Sequence, residues 1–241
     1  MARITSQPQS FPQGLFSEDT VQNADLGAKA SSSDGRAWRY VKAGAVALVA
    51  GSVFDGPASV ANHTNITVAA AAAAGASQVT VTLGATAATA NQYANGVMAI
   101  NDADGQGFTY GIKSHPAAGS GATLVLTLNA DETIQEALTT SSQVSLVANQ
   151  YGGVVIHAAT EAGVPVGVAI KDITAGSYGW IQTRGPVSAL CAATTGIGLA
   201  CSASDTTAGA YELGDGILSP IGYALAAGVA TEFNPVFLTI D

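Results

Sequence analysis

Few side chains in this sequence could carry chemistry. There are three histidines, His63, His115 and His157, and two cysteines, Cys191 and Cys201. No histidine has a second ligand at metal-binding spacing, so no metal site is expected. A hydrolytic triad would need the fold to bring one of them beside a carboxylate and a nucleophile, and dispersed surface or turn positions are the simpler reading. Asp102-Ala103-Asp104-Gly105 has the look of a calcium loop, but with Gly105 at the sixth loop position the first is Ile100 and the twelfth Gly111, neither of which can serve. A hairpin turn is its expected role. Gly196-Ile197-Gly198-Leu199-Ala200-Cys201 is a glycine fingerprint lacking its third glycine. There is no phosphate-binding loop and no nucleophile elbow. No catalytic residue, cofactor or small-molecule substrate is therefore expected.

The elements that would position any site are short strands. Tyr178 to Val187 alternates large with small or polar side chains, holds one of two tryptophans and ends in Gly185-Pro186, the pattern of a strand running into a turn. Its expected partner is Arg36 to Gly51, which carries the other tryptophan and would pair non-locally. Trp38, Tyr40 and Trp180 are expected in the core or at a subunit interface; a carbohydrate-stacking role for the tryptophans is set aside, since aromatics make up only 6% of the chain. Further strands are expected at 66–68, 79–83, 96–101, 107–114, 123–129, 143–149, 154–157, 165–170, 188–191, 221–225 and 235–240. Asp131 to Thr139, with its acidic start, reads as a short helix or 3₁₀ segment. The fold class that follows is all-β, a sandwich or barrel-like body. Residues 1–35 form an extended N-terminal arm, residues 36–241 the body, and 56–150 an inserted β subdomain. No solenoid or propeller repeat is evident.

Charged residues are 10% of the chain, well below the soluble average, which suits a surface covered by neighbours. The net charge is −9. The first 42 residues hold five bases against four acids and the remaining 199 hold three bases against 13 acids, so nucleic acid is not an expected partner. No apolar run is long enough to span a membrane and no signal peptide is visible, which points to synthesis and use in a cytosol, where Cys191 and Cys201 would be free thiols. The sequons at Asn62 and Asn65 are read as chance matches on the same ground. Phe11, Leu15 and Phe16 are apolar anchors on an arm too polar to fold alone, so the arm is expected to order against a partner, with Arg36 at its root.

Four segments carry a family likeness: Ser32-Ser33-Asp34-Gly35-Arg36-Ala37-Trp38-Arg39-Tyr40-Val41-Lys42-Ala43-Gly44; Asn91 to Asp102 continuing to Tyr110-Gly111-Ile112-Lys113; Tyr178-Gly179-Trp180-Ile181-Gln182-Thr183-Arg184-Gly185-Pro186; and Ile221-Gly222-Tyr223-Ala224-Leu225. Together they resemble the capsid decoration, or cement, proteins of tailed bacteriophages, from about residue 25 to the C-terminus. The resemblance implies a homotrimer made in the bacterial host cytoplasm. It would bind the major capsid protein on the outer surface of the virion's icosahedral shell and bridge capsomers. The likeness carries over no catalytic residues. A tail or fibre component of the virion is the alternative, and a β-sandwich hydrolase a distant third.

Overall fold

The computed structural model describes residues 13–160, 162–216 and 218–241. In chain order the strands are β1 (Lys29–Ser31), β2 (Ala37–Ala43), β3 (Val53–Asp55), β4 (Ile66–Ala70), β5 (Gln78–Thr82), β6 (Val97–Asp102), β7 (Thr109–Ser114), β8 (Thr123–Leu128), β9 (Gln143–Val147), β10 (Gly152–Ile156), β11 (Pro165–Ala169), β12 (Tyr178–Leu190), β13 (Ala200–Ala203), β14 (Tyr211–Leu213), β15 (Pro220–Ala224) and β16 (Phe233–Thr239). The protein is all-β; the one helical element among the described residues is a 3₁₀ turn, Ala61–His63. The chain divides into two units, one comprising residues up to Ala58 together with Gln150–Asp241, the other Ser59–Asn149.

The Ser59–Asn149 unit is a closed antiparallel barrel in the order β4-β5-β8-β7-β6-β9. Alternation along its strands sends Val68, Val79, Val81, Met98, Ile100, Ile112, Leu124, Leu126 and Leu146 into one core. Asp102 ends β6, and Ala103 to Gly105 lie in the connection to β7, where Ala103, Gly105 and Gly107 take positive φ. The helix expected over Asp131 to Thr139 is absent. Ile134 and Leu138 are buried in the barrel core instead, the Ile134 amide donates to Ala76 O, and Leu138 forms a bridge with Ala72. Tertiary burial of two apolar residues has overridden a weak local propensity.

In the other unit the pairings β2-β10-β3-β11-β12 close on themselves, because β12 also pairs with β2. Inside this ring lie Val41, Leu48, Phe54, Val154, Val166, Ile173 and Ile181. The strand β12 is long enough to take different partners along its two halves within one ten-stranded sheet. Its first half pairs with β2 and β11, its second with β16, from which the sheet continues β15-β13-β14. It therefore does not end at Gly185-Pro186. Gly185 takes φ +85°, beside a register irregularity between Gln182 and Arg184, and the strand runs on to Leu190. The buried Gln182 side chain holds this bend by donating to Arg184 O (3.0 Å) and Pro186 O (2.8 Å). The upstream partner is shorter than expected, stopping at Ala43.

One turn recurs through both units. Four isolated bridges, Leu48 with Ile173, Ala72 with Leu138, Ala88 with Ala118 and Thr195 with Gly228, are each made by reciprocal backbone hydrogen bonds. After each of these residues comes a tight turn closed from the fourth residue back to the first: Ser52 N to Val49 O, Ala76 N to Ala73 O and Ser177 N to Thr174 O are examples. The third turn residue takes positive φ at Gly51, Gly75, Asn91, Gly121, Gly176, Gly198 and Thr231, as a type II turn requires.

Asp241 fastens the C-terminal strand to β2. Arg39 reaches both its carboxylate oxygens at 2.8 Å and Lys29 approaches at 3.2 Å. The Arg39 hydrogen bonds, followed by that from Lys29, hold its carboxyl below the ordinary value, and partial burial opposes them. A carboxyl whose folded pKa is depressed stabilises the fold above the unfolded pKa, and that contribution is lost as pH falls through the folded value. Asp241→Asn is expected to cost about 1 kcal/mol at neutral pH. In denaturant titrations the gap between parent and variant should close as the pH drops below the carboxylate range; a gap independent of pH would assign the loss to packing.

Candidate functional site

The three histidines do not converge. His115 accepts the Tyr93 amide at Nε2 (2.9 Å) and faces Pro116 O through Nδ1 (2.8 Å), so its proton sits on Nδ1. His63 contacts the Tyr93 hydroxyl through Nδ1 and Thr86 O through Nε2 (2.9 Å). Burial pushes the Tyr93 phenol up to about 12. These two histidines stitch loops to the barrel end.

His157 differs, since its Nδ1 lies 2.9–3.0 Å from both oxygens of Asp55. This is the His-carboxylate contact a hydrolase would need, and the sequence offered no spacing that points to it. The pair is 0% and 2% exposed, however, and Nε2 faces the Ser204 carbonyl (3.2 Å) instead of a hydroxyl. The Ser204 hydroxyl donates to Glu212 at 2.6 Å. The arrangement clamps β3 and the end of β10 to the loop after β13, and it gives a substrate no path to either ring nitrogen.

Cys191 and Cys201 are free and fully buried in the core beneath β13, β15 and β16. Burial, then the neighbouring Cys191, pushes the Cys201 thiol up to about 11, which keeps it protonated and unreactive at neutral pH. Among the described residues no three His, Cys, Asp or Glu side chains gather where a metal ion could sit.

Trp38, Tyr40 and Trp180 form a separate buried cluster. Tyr40 and Trp180 are cross-strand partners with rings 5.1 Å apart at 63°. The described part of the arm covers them: Leu15, Ala24, Leu26, Ala28 and Ala30 pack on the rings. Gln13 accepts from the Tyr40 hydroxyl (2.7 Å) and, through its carbonyl, from the Trp180 indole (3.2 Å), while its amide donates to Tyr178 O (2.9 Å). From Gln13 onward the arm is thus ordered on its own body, because an aromatic face with polar edges needs both apolar cover and hydrogen-bond partners. Arg36 pairs with Asp34 (2.8 Å) and lies 5.2 Å over the Trp38 ring. Phe11 lies outside the described residues.

Phe16 turns the other way, 69% exposed, and helps line an apolar groove of about 380 Å³. Val187 and Ser188 of β12, with Ala169 and Ile170 at the end of β11, form its floor, and Phe233, 54% exposed, stands at the start of β16. Gly51 fixes Phe233: a Cβ there would come within 2.5 Å of the phenyl ring, on a backbone already at φ +79°. Two exposed aromatics beside a floor of small and aliphatic residues make a surface suited to adhesion, with no titratable group in its lining. Phe16 was legible as an arm anchor, whereas Phe233 and the Gly51 turn join only through the fold. Scans of family models, curated proteins and solved structures find no match to this chain.

Proposed function

We propose that the protein is a structural virion component that binds the outer surface of an icosahedral capsid as a homotrimer and stabilises the shell by bridging capsomers. The observation that carries this reading is the apolar groove flanked by Phe16 and Phe233. Sparse surface charge and the family likeness of the four sequence segments support it. Weak contacts of this kind become effective when symmetric copies engage one shell, since each bound copy raises the effective concentration of the next contact. The test is co-sedimentation with undecorated capsids. The double variant Phe16→Ser, Phe233→Ser should fold as the parent does yet bind about tenfold more weakly or worse, given the apolar area two phenyl rings would bury. Equal affinity of variant and parent, or no binding by the parent, would overturn the reading.

A further inference from the structure

The Ser59–Asn149 barrel has a second concavity, of about 500 Å³ and of different character. It opens on the outer face of β6 and β7, with the loop from Asn129 to Gln135 as its side wall. Its floor is low because Gly96 and Gly111 lack side chains; a Cβ on Gly111 would collide with the Asn129 amide and the Glu132 carboxylate. Phe108, 38% exposed, presents a ring to the groove and is backed by Tyr110, stacked on it at 6.1 Å and 17°. The wall is held in place. The Tyr110 hydroxyl accepts the Gln135 amide (3.0 Å), and Glu132 accepts from the Gly111 amide (2.5 Å) and from Asn129 Nδ2 (3.2 Å). Asn95, Asp131 and Gln135 stand exposed at the rim.

We propose that this groove binds a neutral oligosaccharide. A pyranose ring has an apolar C–H face and a belt of hydroxyls at its edge, so it asks for a flat apolar platform with planar carboxylate and amide groups set beside it. Phe108 supplies the platform, and Asn95, Asp131 and the side-chain oxygen of Gln135 the edge partners, the Gln135 nitrogen donating to Thr133 O (2.8 Å). A wall already fixed by Tyr110 and Glu132 lowers the cost of ordering on binding. The groove excludes other occupants on physical grounds. It carries two carboxylates and no basic residue, which disfavours phosphates and acidic sugars. Both Glu132 oxygens are already engaged, which argues against a cation. The barrel is closed, so it presents no strand edge on which an extended peptide could add. This site does not depend on capsid binding and concerns the other unit.

The test is calorimetric titration of the full-length protein with maltohexaose, cellohexaose and chitohexaose. At least one should bind, with Phe108→Ala weakening it about tenfold or more. Phe108→Trp should retain binding, and Val125→Ala, an exposed change elsewhere on the barrel, should leave it unchanged. Thermal melts of Phe108→Ala should overlay the parent, so that lost binding is not lost fold. No binding of any of the three sugars, or binding by Phe108→Ala equal to the parent's, would overturn the proposal.

Discussion

Trp180→Ala is expected to lower stability by about 3–5 kcal/mol, the range for truncating a fully buried large aromatic. The indole is 1% exposed, meets Tyr40 edge-on, and donates to the Gln13 carbonyl. Its removal opens a cavity within the β2–β12 pairing that closes the ring of strands β2-β10-β3-β11-β12. It also removes the surface on which the arm lies, so the Gln13 contacts to Tyr40 and Tyr178 lose their support. Equilibrium unfolding followed by the fluorescence of the remaining Trp38 measures the loss, and proteolysis should cut the arm of the variant ahead of the body. An unfolding midpoint equal to the parent's would show that the cluster does not hold the ring together. Trp180→Phe, which keeps the ring but not the indole donor, should recover part of the loss and thereby separate packing from the hydrogen bond.

The all-β architecture was legible because period-two alternation survives in strands with one buried face. Val79 to Leu83 and Thr123 to Asn129 show it plainly, and both became strands of the barrel. The pairing of the two tryptophan-bearing segments was legible for the same reason. Three kinds of feature were not. Short strands such as β13 and β14 carry too few residues for a period to emerge. The turn after the bridges recurs as a backbone conformation, with Gly, Asn or Thr at its positive-φ position in seven of eight cases and Leu, Ala, Ile, Thr or Gly at the bridge, so no residue pattern records it. The described arm folds back on its own body because Gln13 and Leu15 match the Tyr40 and Trp180 edges, a complementarity visible only in three dimensions. The groove at Phe108 was hidden similarly, since its aromatic platform and its polar wall come from the residue before β7 and from a loop read as helical.

The buried Asp55–His157 pair separates a scaffold from a catalyst. Asp55→Ala is expected to cost about 3–5 kcal/mol, the usual result of removing one partner of a buried pair. The size follows from what is left behind. His157 would keep its Nε2 contact to the Ser204 carbonyl at 3.2 Å, but Nδ1 would lose both carboxylate oxygens in a site closed to water. The loss should spread beyond the pair. The His157 amide donates to Val53 O and its carbonyl accepts from Gly209, so the same residue ties β3 to the loop that precedes β14. Replacing both partners with apolar residues of similar volume, Asp55→Leu with His157→Phe, removes the stranded polar group. The double variant should therefore be more stable than either single variant, with a coupling energy of about 1–3 kcal/mol between the sites. A catalytic pair would behave differently: the single variants would retain the parent's unfolding midpoint, because a substrate-facing histidine is open to solvent and loses reactivity before it loses fold. Denaturant unfolding of the parent, the two single variants and the double variant decides between them. Single variants that unfold at the parent's midpoint would refute the structural role assigned to this clamp.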